Sequence, residues 1–562
     1  MRYIKTGMTM LLGISVFLFW YLKYPHALSY QEQYQLFLWS SDYFCQRISV
    51  VGGLADWLGE LFTQFYYVSW LGALLLALLF VSFQWLVWAN MKTSHSSGNY
   101  TADRLSFPSP FFYPLSMVPC AMLLWLMGDV SVLLSYLMAL IACLVEALLM
   151  TVVFRQSKGK RIGMAGLDFK LTIILFWLFG ALAWLYVGLR IAREGWRWLW
   201  MVVELLLVQW IASLLLTQWP VQQVFLPMTY YRIPLQMPWM LWALPIVIIC
   251  IVRLGASCKL SKMGDTGRYV AVALEFMLLV VCSQLLIPTG YDKEMYELIR
   301  QDYLVRNERW DEIIDRAQMY QVPTPFSSVC VNLALSQKRQ LADRMFDFYQ
   351  SGEDALIMPR FHDMTSMLPS MEVFWRLGMV NSAQRYAFDS QASILNARNS
   401  GRLTRRIAEC MLVNGHYGPA RKHLELLSQS LYYSDWANEK LQSLKQNGKA
   451  REQAIQKDPQ LSRVRNLRFK NDFLYGYEEM DKMLGLLFIN NTQNLMALDY
   501  MLGQILLGAK IPEFQQYLGW AQQYGNYQSM PRGYQDVVRC IQNNGKVSES
   551  PYRDYIRQKT GQ

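Results

Sequence analysis

The chain has 562 residues, 53% of them hydrophobic and only 17% charged, with a formal net charge of +11. Soluble domains carry nearer a quarter charged residues, so part of this chain is not built for water. The positive excess divides into +7 over residues 1–289 (19 Lys/Arg against 12 Asp/Glu) and +4 over residues 290–562 (34 against 30), too diluted in the second part to give a nucleic-acid partner any footing.

A spanning helix needs about 20 mostly apolar residues to cross ~30 Å of hydrocarbon. Eight stretches approach that length: Thr6–Leu22, Tyr66–Ala89, Phe111–Met127, Val130–Phe154, Leu171–Leu189, Trp198–Trp219, Leu235–Leu254 and Tyr269–Pro288. The first reads as an uncleaved anchor, because Tyr21-Leu22-Lys23-Tyr24 follows it and no small-residue cleavage site does. Lys and Arg set orientation. Arg2 and Lys5 place the N-terminus in the cytoplasm, and Lys92, Arg104 and the run Arg155, Lys158, Lys160, Arg161, Lys170 agree with simple alternation. Arg253, Lys259, Lys262 and Arg268 then fall on the wrong side.

A re-entrant hairpin at Leu171–Leu189, divided at Gly180 and followed by Arg190, Arg193 and Arg197, satisfies every basic loop at once. Such a break is tolerable where protein or a wet cavity surrounds it. The expectation is seven crossings plus this hairpin, or eight to nine helices. An odd number of crossings would put the C-terminal part in the periplasm of a bacterial inner membrane.

Three acids, Glu146, Glu204 and Glu275, interrupt the apolar stretches. Intramembrane carboxylates are functional candidates because burying them unpaired is costly. Each also lies within about two turns of a basic helix end, so pairing by snorkelling is the structural alternative.

Past Ile287-Pro288-Thr289-Gly290 the pattern becomes amphipathic and helical, which makes residues 290–562 a soluble domain. Gly415-His416-Tyr417-Gly418-Pro419-Ala420, after Ile407 and Met411 and before Leu424 and Leu427, fits the turn and second helix of a tetratricopeptide-like (TPR-like) unit. Gly378 and Ala383, with Ala387 a turn later, repeat the spacing; Asn307, Trp310, Ile313 and Ala317 form a degraded copy, and Leu506, Ile511, Phe514 and Leu518 a further one. Stacked pairs make a concave surface that suits a protein or peptide partner. A generic helical bundle is the alternative, and polar Ser443–Arg465 reads as a loop or irregular helix. The fold class is therefore all-α: a polytopic transmembrane bundle followed by a soluble helical-repeat domain.

Nine cysteines occur singly and five histidines form no H-E-x-x-H, so neither a disulfide framework nor a metal site is expected, and no cofactor is named.

The segments Glu32-Gln33-Tyr34-Gln35-Leu36-Phe37-Leu38, Gly52-Gly53-Leu54-Ala55-Asp56 and Gln64-Phe65-Tyr66, together with the repeat-like tail, resemble a family of uncharacterised multi-pass proteins of Gram-negative bacteria. The layout also resembles the GT-C membrane glycosyltransferases, which have a cytoplasmic N-terminus and a long first outer loop with an early acid. That resemblance implies a polyprenyl-phosphate sugar donor taken from the membrane, and a catalytic carboxylate at Glu32 or Asp42. The chain departs from that pattern in lacking an adjacent acidic pair. Transfer requires a group to take the acceptor's proton and a cation for the donor phosphate, for which Arg232 beside Tyr230 and Tyr231 is the candidate. Interfacial acids and an interfacial anchor are the plainer readings of these residues. A non-enzymatic, membrane-anchored scaffold for envelope proteins is the rival function, and a transporter the third.

Overall fold

The computed structural model describes the chain except for residues 1, 96–111, 157–160, 196–197, 218–220, 229–238, 258–264, 361–362, 395–397, 470–478, 526, 544–548 and 561–562. The protein is all-α, with no strand among the described residues. It divides into two compact units: residues 1–292 with 395–398, and residues 293–394 with 399–562.

In the first unit α1 (Arg2–Leu18) ends in a π-helical turn, Phe19–Lys23. Three short helices follow: α2 (Pro25–Gln33), α3 (Ser41–Ile48) and α4 (Gly53–Thr63). Their ends are written in the sequence. Pro25 sits in the first turn of α2, where its missing N–H costs nothing, and the Ser40 hydroxyl accepts from the Tyr43 N–H to cap α3. Gly52 adopts φ +79° at the start of α4, and a Cβ on Gly53 would lie 1.7 Å from the Arg47 carbonyl oxygen. Only glycine fits that approach.

The long apolar helices come next: α5 (Ser69–His95), α6 (Val118–Leu126, preceded by a 3-10 turn over Pro114–Met117) and α7 (Leu134–Gln156). After α8 (Arg161–Phe179) a 3-10 turn, Gly180–Leu182, leads into α9 (Ala183–Glu194). Then follow α10 (Trp200–Leu215), α11 (Val221–Phe225), α12 (Met240–Ser257) and α13 (Asp265–Leu286). Among the described residues five stretches are long and apolar enough to cross a membrane: Tyr3–Lys23, Ser69–Lys92, Leu134–Val153, Ala165–Arg193 and Tyr269–Gly290. The chain is a multi-pass membrane protein.

Ala165–Arg193 counts as one span by length, but its geometry is that of a hairpin. Asp168 and Arg190 form a 2.8 Å ion pair, whereas a continuous helix would hold residues 22 apart about 33 Å from each other. Gly180, at φ +72°, makes the turn. Three stretches expected to span are shorter than their apolar runs: Pro114–Leu126, Trp200–Leu215 and Met240–Leu254. Pro114 and Pro119 delay a regular helix in the first, and the second stops where Leu216 leaves helical geometry, at ψ +60°.

The second unit is a succession of helices joined by tight turns. The helix α14 (Lys293–Arg306) turns through Glu308 at φ +55° into α15 (Trp310–Met319), and α16 (Pro325–Gln337) turns through Arg339 at φ +58° into the single-turn α17 (Leu341–Arg344). Gly378, at φ +83°, ends α18 (Leu368–Leu377) and admits α19 (Val380–Ala392), whose Ala383 and Ala387 are fully buried. Gly415, at φ +79°, does the same between α20 (Gly401–Asn414) and α21 (Tyr417–Leu427), with Ala420 fully buried. Left-handed turns strongly favour glycine, yet Glu308, Arg339 and Ala509 (φ +57°) make such turns without it.

The segment Ser443–Arg465 is not a loop. It holds the end of α22 (Ser434–Lys445), α23 (Gly448–Gln456) and most of α24 (Pro459–Leu467), whose polar residues face outward around buried Ile455, Leu461 and Val464. The unit closes with α25 (Met480–Asn490), α26 (Leu495–Leu507), α27 (Ile511–Tyr524), α28 (Arg532–Gln542) and α29 (Pro551–Thr560). Its interior carries a charge network. Arg402 bonds Asp302 at 2.7 Å, and Arg406 holds Glu372 at 2.9 Å. Although burial disfavours the Glu372 carboxylate, these guanidiniums hold its pKa down at about 2.

Candidate functional site

The three short helices after α1 bury an unusual number of polar groups. Glu32, Gln33, Gln35, Asp56, Glu60 and Gln64 are all at most 5% exposed. Asp56 and Glu60 are one helical turn apart, so both carboxylates leave the same face of α4. Glu60 accepts from the Tyr43 hydroxyl and pairs with Arg47 at 2.7 Å and Arg398 at 3.0 Å, all within the first unit. Arg398 also reaches Asp56 at 3.0 Å and the Gln35 side-chain oxygen at 2.7 Å, and the Gln64 amide donates to the Gln35 carbonyl at 2.7 Å. Two carboxylates and two guanidiniums thus balance. Burial, reinforced by the neighbouring Glu60 carboxylate, pushes the Tyr43 phenol well above its ordinary pKa and keeps it a hydrogen-bond donor.

This layer gathers all three sequence segments that carry the family resemblance. Of the expected catalytic acids, Glu32 lies inside it, 2% exposed in the last turn of α2. Asp42 is exposed in the first turn of α3, where a carboxylate favours the helix N-terminus.

Asp56 lines a cavity. The cavity is about 30 Å³, room for a water or a single hydroxyl, and segments distant in sequence converge on it: Val50–Gly52 with Asp56, Ser135, Tyr136 and Ala139 of α7, the hairpin turn Phe179–Ala181, and Val224 with Leu226–Met228. The hairpin is tied there by the Gly52 N–H to the Trp177 carbonyl (2.9 Å) and by the Trp177 indole to the Ile48 carbonyl (3.0 Å). Tyr230, Tyr231 and Arg232, the expected phosphate-binding group, lie outside the described residues.

A second polar centre lies between the hairpin's helices. The Asp168–Arg190 pair is fully buried on both sides, and the Tyr186 hydroxyl donates to the same carboxylate. The Arg190 guanidinium stacks 4.9 Å from the Trp198 ring. Arg193 donates to the Ala147 carbonyl at 2.7 Å and to the side chains of Thr151 and Asn90, joining α9 to α7 and α5. Among the described residues Glu146, Glu204 and Glu275 form no ion pair with a helix-end Arg or Lys. Both carboxyl oxygens of Glu204 and Oε2 of Glu275 are shut from solvent without a hydrogen-bond partner there.

Sequence reasoning missed Asp168, Tyr186 and Arg190, because Arg190 and Arg193 read as loop cations. Among the described residues no group of three or more His, Cys, Asp or Glu side chains is arranged to hold a metal ion.

A family model described as a family of unknown function, DUF6057, matches residues 2–561, and the chain belongs to that family. No curated protein and no solved structure matches it.

Proposed function

We propose that the first unit transfers a sugar from a polyprenyl-phosphate carrier at the outer face of a bacterial cytoplasmic membrane, in the manner of the GT-C glycosyltransferases, with the second unit periplasmic. The observation that carries this reading is the convergence at Asp56. The layer of short helices after α1, the hairpin turn and the residues leading into 229–238 meet at one carboxylate beside a cavity of about 30 Å³. An acceptor hydroxyl fits that cavity, with the remainder of the acceptor outside it. Asp56 then takes the proton as the donor's anomeric bond breaks. Arg398, 3.0 Å away, aims the Asp56 carboxyl, and Glu32 and Asp42 are the alternative bases.

The orientation rests on the basic segments 155–170 and 253–268 sharing one side. A hairpin over 161–194 that returns to its own side, with seven other helices crossing, satisfies that requirement. The test is envelope glycan and glycolipid profiling in a deletion strain complemented with wild type, Asp56→Asn, Glu32→Gln or Asp42→Asn. Loss of one glycan in the deletion, restored by wild type but not by Asp56→Asn, supports the reading. An unchanged profile in the deletion ends it.

The rival scaffold draws on the second unit, whose pairs α18–α19 and α20–α21 turn at Gly378 and Gly415 as TPR-like units do. It predicts that all three neutral variants restore the wild-type profile.

A further inference from the structure

Among the described residues, Glu275 is a carboxyl of the membrane-spanning part that neither the layer nor the hairpin uses. Glu275 is the eleventh of the 22 residues of α13, which places it about 15 Å from either end, at mid-depth. Ionisable groups there are costly and mark function unless something compensates them. Glu275 lines a cavity of about 620 Å³ between α13 and the stretch Phe112–Trp125, within the range of sites for drug-sized ligands. Leu115, Met122, Trp125, Leu279 and Leu286 make its walls apolar. Of its few polar groups, Thr289 is engaged: it accepts from the Trp125 indole at 3.0 Å and donates to the Leu286 carbonyl at 2.7 Å.

We propose that this cavity binds a lipophilic cation: an amphiphile whose apolar body fills the 620 Å³ space and whose ammonium or phosphonium charge sits against Glu275. Charge complementarity selects this occupant. A lipid acyl chain fills the same volume but leaves a mid-depth carboxyl unmatched, and the apolar residues that dominate the walls offer no positive charge. The inference goes beyond sugar transfer and is independent of it.

The test uses the full chain in lipid nanodiscs, with tetraphenylphosphonium and its isosteric anion tetraphenylborate as probes. Saturable binding of about one cation per chain is expected, roughly tenfold or more tighter than the anion. Glu275→Gln should erase that preference and Glu275→Asp keep it. Ser283→Trp, which narrows the cavity and leaves the carboxyl, should weaken binding roughly tenfold. Absence of saturable binding above empty nanodiscs, equal binding of the two probes by wild type, an undiminished cation preference in Glu275→Gln, or cation binding undiminished by Ser283→Trp would each overturn the proposal. The first of these results would leave the cavity to lipid chains.

Discussion

Arg190→Met should open the α8–α9 hairpin, and the cost follows from the burial of its ion pair. Asp168 and Arg190 are both fully excluded from solvent and 2.8 Å apart, and Tyr186 donates to the same carboxylate. Removing the guanidinium leaves a buried carboxylate with only a phenol, a loss of about 3–5 kcal/mol. Asp168→Asn should cost a similar amount by stranding Arg190. Replacing both residues removes the charges together, so Asp168→Asn/Arg190→Met should recover most of the loss. The coupling energy should be on the order of 3 kcal/mol, far above the few tenths seen between distant sites. Cys143 gives a direct readout: its thiol is buried and donates to the Leu182 carbonyl at 3.3 Å, beside the hairpin turn. Thermal unfolding of detergent-purified protein, followed by reaction of buried thiols with a fluorogenic maleimide, should show both single variants melting early and the double variant near wild type. Additive effects would refute the hairpin, since residues 22 apart on a continuous helix lie about 33 Å from each other.

Gly53→Ala places a methyl 1.7 Å from the Arg47 carbonyl oxygen, so the turn into α4 must open and draw Arg47 from Glu60; a loss on the order of 4 kcal/mol is expected, read as early melting, and a wild-type melt would disprove the contact. Burial raises the Asp499 carboxyl to about 6, against the opposing pull of Tyr527 and Arg339. Because the folded value lies above the unfolded one, the stabilisation is complete below about pH 4 and is lost as pH rises through 6, up to about 3 kcal/mol. Asp499→Asn should therefore flatten the pH dependence of the second unit's melting, and an unchanged dependence would contradict this. Ala420→Glu forces a charge into a fully buried position where α20 meets α21, which should cost several kcal/mol and make the second unit protease-sensitive with the first still inserted. Resistance equal to wild type would show that the pair is not packed there.

What the sequence disclosed follows from which physical signals are local. Gly415 and Gly378 announce their turns because left-handed geometry penalises other residues, and Gly180 marks the hairpin turn for the same reason. The turn at Glu308 shows only through its neighbour Asn307 and the following Trp310, Ile313 and Ala317, and the turn at Arg339 carries no such mark. Arg190 and Arg193 follow an apolar run, as cytoplasmic anchors do, yet α9 continues through them and buries both. Their partners lie 22 residues back in Asp168 and more than 40 back in Thr151, distances that periodicity does not reach. At the candidate site the sequence points to Glu32 and Asp42, and the choice of Asp56 requires tertiary structure. Asp56 and Glu60 share a helix face by their spacing; that Asp56 meets the hairpin turn and Met228 depends on contacts far away in sequence.

The most direct measurement of the transfer reading is consumption of the lipid-linked donor. Total lipid and envelope extract from the deletion strain, which hold the unused polyprenyl-phosphate sugar and its unmodified acceptor, are mixed with purified full chain and followed by mass spectrometry. Wild type should release polyprenyl phosphate from that donor, and Asp56→Asn should do so about 10²–10⁴-fold more slowly. Asp56→Asn releasing it as fast as wild type, or a wild-type protein that leaves every lipid-linked sugar intact, would contradict the account.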